Sequence, residues 1–233
     1  MTQDIQLSER QEDLLKLIVE AFIDEAEPVS SKYLVEVHGL SWSPATIRND
    51  MAFLEQTGFI THPHTSAGRI PTEFGWKYYL KQQRVAPLDA KEASALKRAA
   101  GQTKDATQRT KELAKSLADI SQQTVIVGFA PHDVYYTGIA NLVRHPEFQS
   151  MDVLSEMTGI VDHCDDVISR LFQSLQPEPQ ILLGSENPFG AAAGTIVSRW
   201  GKKPHGIFCL LGPIRMNYPK NIARISFIQH LLT

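Results

Sequence analysis

Ser41 to Thr72, SWSPATIRNDMAFLEQTGFITHPHTSAGRIPT, decides the fold of this chain. Ser43 is a good N-cap, and Pro44 suits the first helical position, where no backbone N–H is needed. Ile47, Met51 and Leu54 then recur at helical spacing and face a core. Ala45, Thr46, Arg48, Asn49 and Phe53 are left for the outer faces. Arg and Asn near a helix N-terminus are the residue types that read guanine and adenine edges in a major groove. Gly58 ends the helix, since only Gly takes the left-handed cap cheaply. Phe59-Ile60-Thr61 reads as a strand and Ala67-Gly68-Arg69 as a turn carrying one cation, with Gly68 allowing a tight bend. A helix followed by a two-stranded wing is the winged helix-turn-helix arrangement. The competing reading is that Arg48 and Asn49 form an ordinary solvated face, because helix–Gly–strand units are common.

The residues upstream favour the DNA-reading alternative. Ser8 and Gln11 form a capping-box pair, and Leu14, Leu15, Ile18, Val19 and Phe22 make an apolar stripe. That first helix should stop before Pro28. Ser30 or Ser31 caps a short second helix through Tyr33, Leu34 and Val37, which Gly39 closes. Three helices joined by tight turns, with a wing after the third, leave few alternatives.

SPATIRNDMAFLEQTGFI followed by PHTSAGRIPTEFGWKYYL resembles the HrcA family of heat-inducible transcription repressors. The LSERQ start, EPVSSKYL, NLVRHPEF (141–148), LGSEN (183–187) and LGPIRMNY (211–218) are similar to that family in the same order. The resemblance implies a bacterial, cytoplasmic, nucleoid-associated repressor of chaperone genes. It would bind the inverted-repeat operator CIRCE in double-stranded DNA as a homodimer, with activity modulated by heat and by chaperonin. By position, the expected DNA-contact set is Ser43, Ala45, Thr46, Arg48 and Asn49 on the helix, with Thr65, Ser66 and Arg69 on the wing and His64 as either a contact or a turn cap. The C-terminal part would be a GAF-like domain. Family members carry more sheet and an inserted dimerisation domain before NLVRHPEF; here TVIVGFAPHDVYYTGIANLV runs straight through, so this is a shortened member.

Charge must be placed locally, because the formal net charge is −3 and the first 30 residues are acidic. Arg48, Arg69, Lys77, Lys81 and Arg84 cluster from the third helix to just past the wing. His62 and His64 add charge there only when protonated. So few cations per subunit call for two subunits on one site, since phosphate contacts supply most of the affinity. Cys164 and Cys209 are the only cysteines, which suits small core residues in a reducing compartment and makes neither a disulfide framework nor a metal set. No apolar run reaches membrane-spanning length, and the start has no apolar targeting core.

The expected fold class is α+β, in three parts: a winged helix-turn-helix over 1–85, a long linker helix over 86–122, and a reduced GAF-like α+β domain over 123–233. Asp89 to Ser121 reads as one long helix with only Gly101 against it. Ala99, Thr103, Ala106, Thr110, Leu113, Leu117 and Ile120 alternate four and three apart, a spacing that serves either self-pairing or packing on its own domain. Strands are expected at 124–130, 134–139, 180–183, 195–200 and 206–211, the last two joined as a hairpin through GKKPH. Met151 to Leu175 reads as one amphipathic helix, with Leu154, Met157, Val161, Cys164, Ile168, Leu171 and Leu175 on one side. A last apolar helix runs from Asn221 to Leu232. These helices would cover one face of a mainly antiparallel sheet.

Catalysis is the weakest reading. The histidines at 132, 145, 163, 205 and 230 lack metal-ligand spacing, and no Walker loop, nucleophile elbow or HExxH is present. No cofactor is implied. Glu186, Asn187 and Arg215 are either the lining of a ligand pocket or turn caps and an internal ion pair. The pocket alternative would make this a winged-helix regulator whose C-terminal domain senses a small metabolite.

Overall fold

The computed structural model describes residues 6–63, 68–148, 159, 163–176, 178–201 and 206–233. By contacts the chain divides into two units, Met1–Gln83 and Arg84–Thr233.

In the first unit, Gln11 reaches back to the Ser8 backbone N–H at 3.0 Å, opening α1 (Glu9–Glu25). Leu14, Leu15, Ile18 and Val19 are its buried stripe, and Ala26 turns the chain out with φ +58 two residues before Pro28. The Ser30 hydroxyl accepts the Tyr33 N–H at 3.1 Å to start α2 (Ser31–His38), which Gly39 closes with φ +56. Leu34 is the buried anchor of α2, whereas Val37 stands 57% exposed. α3 (Pro44–Gln56) buries Ile47, Asp50, Met51 and Leu54. Gly58, at φ +82, turns the chain into β1 (Ile60–Thr61), which pairs antiparallel with β2 (Ile70–Pro71). The ribbon leads into α4 (Glu73–Gln82), a helix the sequence reading left unassigned. The Thr72 hydroxyl caps it by accepting the Gly75 N–H at 3.0 Å. Trp76 and Tyr79 are buried, and Phe59 stacks against Phe74 and Tyr78 with ring centroids 4.6 and 5.1 Å apart.

In the second unit the single helix expected from Asp89 to Ser121 is two helices. α5 (Ala90–Gly101) ends at Gln102, and Asp105 caps α6 (Ala106–Ser121) by accepting the Gln108 N–H at 2.7 Å. The break has a local cause: Gly101 is a poor helix former, and Asp105 offers a better start. α5 and α6 pack on each other and on α9 (Tyr218–Leu232). Leu96, Ala99, Thr110, Leu113 and Leu117 are buried there, so the four-and-three spacing is a seam within this unit. Glu92 of α5 takes Arg224 of α9 at 2.9 and 2.6 Å.

The sheet runs β4-β3-β7-β6-β5, with every neighbouring pair antiparallel. Its strands are β3 (Thr124–Ala130), β4 (Asp133–Thr137), β5 (Gln180–Leu183), β6 (Ala193–Trp200) and β7 (Gly206–Pro213). α7 (Ile139–Arg144) follows β4 directly. The helix expected from Met151 to Leu175 is interrupted: His163 sits in a turn at φ −114, and α8 spans Cys164–Ser174. Cys164, Ile168, Leu171 and Leu175 are buried as one stripe, while Leu154, Met157 and Val161 lie outside the described residues.

Helices cover both faces of the sheet rather than one. α8 lies over Ile126, Val197 and Cys209, close enough that a Cβ on Gly128 would meet Ile168 at 2.5 Å. On the opposite face α9 lays Tyr218 on Gly194, where a Cβ would meet the phenol oxygen at 2.0 Å. The cause is visible in the strands. Ile196 and Val197, and Leu210 and Leu211, are adjacent pairs that are all buried. Successive side chains point to opposite faces, so such a run needs cover on both sides.

Candidate nucleic-acid interface

The Ser43 hydroxyl accepts the Thr46 N–H at 3.1 Å and lies 2.9 Å from the Thr46 hydroxyl. The first turn of α3 is thereby capped, and Ala45, Arg48 and Asn49 are exposed beside it. The other side of α3 is held down. Asp50 is 5% exposed and receives the Arg10 guanidinium twice, at 2.6 and 3.1 Å. That hydrogen bond, with the charge of Asp50, raises the Arg10 pKa further above its usual value. A carboxylate buried without a cation would be costly, so the pair sets which face of α3 turns outward. Sequence reasoning missed it. The signal was an acid at position 50, on the same helical stripe as Ile47, Met51 and Leu54, which demands a partner.

The far end of α3 holds the ribbon. Glu55 accepts Arg69 Nε at 2.9 Å and lies 2.8 Å from its terminal nitrogen, and its other oxygen meets His62 Nδ1. Burial pushes the Glu55 carboxyl up, but His62 and Arg69 together outweigh it and hold the pKa below the usual value. Arg69 also exchanges both backbone hydrogen bonds with Val29, at 2.8 Å each. Gly68 serves close approach: a Cβ there would lie 2.5 Å from the Pro28 carbonyl oxygen. No local pattern announces Glu55, because its partners lie 7 and 14 residues away.

Arg48 is exposed, and Lys77 pairs with Glu73 at 2.9 Å. Lys81 and Arg84 are exposed. His64, Thr65 and Ser66 lie outside the described residues. Residues 1–83 carry seven Lys and Arg against twelve Asp and Glu, so this unit is acidic as a whole.

In the second unit, Asn187 and Arg215 make internal contacts. Asn187 is buried; its amide donates to the Ala193 carbonyl at 2.8 Å, and its oxygen accepts from the Phe189 N–H and the Thr195 hydroxyl. Arg215 forms an ion pair with Glu147. Glu186 is exposed on the rim of an open cleft of about 310 Å³ between α8 and β5. Cys164 and Cys209 are buried in one core, and burial pushes the Cys209 thiol up. Among the described residues, His132, Asp165 and Asp166 bring possible ligand atoms within 4.8 Å of one another at the surface, where His132 and Asp165 lie 3.7 Å apart. No described helix is long and apolar enough to cross a membrane.

The crystal structure of a hypothetical protein shares the fold, with a TM-score of 0.74 over 97% of this chain and 96% of that one, at 18% identity. Among curated proteins, the heat-inducible transcription repressor HrcA of Cutibacterium acnes is 41% identical over 146 residues, covering 62% of this chain and 41% of that protein. The repressor of the same name from Acidothermus cellulolyticus is 39% identical over 157 residues, covering 67% and 46%. Both matches therefore span less than half of the relative's length. The family model described as the HrcA protein C-terminal domain matches residues 80–222, most of this chain. That stretch holds the sheet and the Glu147–Arg215 and Asn187–Thr195 contacts, and on this agreement the chain belongs to the HrcA family.

Proposed function

We propose that this protein is a sequence-specific DNA-binding repressor of heat-shock (chaperone) genes, acting in the cytoplasm as a homodimer on an inverted-repeat operator. The carrying observation is α3. Its capped first turn exposes Ala45, Arg48 and Asn49, while Asp50 and Arg10 fix its opposite face. The order α1-α2-α3-β1-β2 supports a winged helix-turn-helix, in which the third helix enters a major groove. Ser43, Ala45, Thr46, Arg48 and Asn49 are the proposed groove-facing set, and His64, Thr65 and Ser66 the proposed contacts at the tip of the wing.

DNA binding is assigned to Met1–Gln83, and dimerisation and regulation to Arg84–Thr233, of which α5 and α6 are part. The acidic balance of the first unit supports a dimer, since a two-fold protein on a two-fold site doubles the phosphate contacts. Asn187 and Arg215 are engaged by the fold itself, which weighs against a metabolite pocket built from them.

The test is binding of the purified full chain to the inverted repeat upstream of chaperone operons, against scrambled DNA of equal length. Preference for the repeat is expected; equal binding would overturn the reading. The regulatory half has its own test. After mild heating, operator binding should recover further with chaperonin and ATP than without, and recovery that ignores chaperonin removes that partner.

A further inference from the structure

We propose that Arg69 is a positioning residue. It locks the two-stranded ribbon to α3 through Glu55, and it is not the ribbon's contact with DNA phosphate. The inference rests on the DNA-binding reading above and deepens it.

The ribbon cannot fix its own tilt. β1 and β2 contribute two residues each, and so short a ladder is marginal. What holds it lies outside it. Glu55, at the last turn of α3, grips Arg69 Nε at 2.9 Å and the terminal nitrogen at 2.8 Å, and takes His62 from the end of β1 on its other oxygen. One carboxylate therefore ties both sides of the ribbon to the helix. Arg69 is fastened a second time through its backbone to Val29, between α1 and α2. Gly68 permits that approach, with Pro28 too near for any side chain.

Charge points the same way. Arg69 and Glu55 are only 28% and 25% exposed, and together they carry no net charge. Glu55 takes Nε and one terminal nitrogen of Arg69, so a phosphate brought to this guanidinium would also approach the Glu55 carboxylate, which repels it. An arginine that stays with Glu55 neutralises no phosphate, so it displaces none of the cations condensed on the DNA and adds nothing to the salt dependence of binding.

The two roles predict opposite signs for one substitution. Were Arg69 a phosphate contact, Glu55→Ala would free it and remove a nearby anion, so binding would tighten. A positioning role predicts that Glu55→Ala weakens operator binding about tenfold or more, to the same extent as Arg69→Ala. The double variant should then be no worse than either single one, because both break one lock. The slope of log affinity against log salt should stay as in the wild type, whereas loss of a phosphate contact flattens it by about one unit per subunit.

The experiment is fluorescence anisotropy of the full chain on the operator across salt concentrations, with hydrogen exchange of the amides at 29 and 69. Those amides donate to each other's carbonyls and should exchange faster in both variants. Faster exchange in Glu55→Gln, which keeps the side chain's size, separates loss of the lock from misfolding. Tighter binding by Glu55→Ala, or a flattened slope in Arg69→Ala, overturns the proposal. If the wild type shows no preference for the operator, the proposed function fails, and the exchange measurement alone decides the lock: unchanged protection would overturn it.

Discussion

A carboxylate buried under a helix must protonate or find a cation, and Asp50 finds Arg10. That pairing leaves Arg48 and Asn49, the immediately preceding positions, on the solvent side of α3. Each is a residue type that forms bidentate bonds to one base, and one such contact discriminates by about 1–3 kcal/mol. Arg48→Ala or Asn49→Ala should therefore weaken operator binding by roughly that amount while leaving binding to random DNA nearly unchanged. Competition titrations against the two DNAs measure it. Equal losses on both would make these residues backbone contacts or folding determinants. Asp50→Ala belongs to the same test, since it should lower operator preference by loosening α3 without removing any group that could touch a base.

At the scale of elements, α5, α6 and α9 form a cluster whose contacts are internal to the second unit. Leu117 of α6 is fully buried in it. Leu117→Ala should cost about 2–5 kcal/mol of stability, the range for truncating a buried leucine, and should leave the oligomeric state at low temperature unchanged. Thermal unfolding with sedimentation measures both; a monomer of undiminished stability would return α6 to the subunit interface. Glu92 gives the cluster a pH dependence. The Arg224 hydrogen bonds hold its carboxyl below the usual 4.5, against the opposing effect of burial. The folded chain therefore binds fewer protons than the unfolded chain in the acid range. The stability Glu92 contributes is complete above 4.5 and is lost as pH falls through the lowered value. Melting curves taken below 4.5 should show the wild type losing stability faster than Glu92→Gln, which does not titrate. Glu92→Gln should itself be less stable at neutral pH, because Arg224 is then buried without its counter-charge.

For the whole molecule, the acidic first unit is the constraint. A fragment of residues 1–83 keeps α3 and the ribbon but only seven basic side chains. It should sediment as a monomer and bind a full operator poorly, with a shallower salt dependence than the intact chain, since one half-site at a time is engaged. A fragment that dimerises and binds like the full chain would sink the dimerisation role assigned to Arg84–Thr233. The motifs that carry the family resemblance are mostly architectural. Glu147 of NLVRHPEF pairs with Arg215 of LGPIRMNY, Asn141 donates to the Ala118 and Gln123 carbonyls, and Tyr218 fills the space over Gly194. These side chains fasten α7 to the end of α6, Glu147 to the turn after β7, and α9 to β6.

Local chemistry determined what neighbours along the chain can decide. Ser8 with Gln11, Ser30, Ser43 and Pro44 start the helices, Gly39 and Gly58 end them, and short apolar runs place strands of the sheet. The exposed positions of α3 were legible for the same reason, since helical period leaves Arg48 and Asn49 outside the stripe of Ile47, Met51 and Leu54. Only the tertiary structure decided what depends on partners far away. Asp50 is buried because Arg10 lies across from it, and Arg69 turns to Glu55 rather than outward. The α5–α6 seam closes on its own unit, and α8 and α9 take opposite faces of the sheet. An apolar stripe or a lone charge states only that it needs a partner. Which partner satisfies it is settled by the folded chain, where contacts 40 or 132 residues apart in sequence become hydrogen bonds.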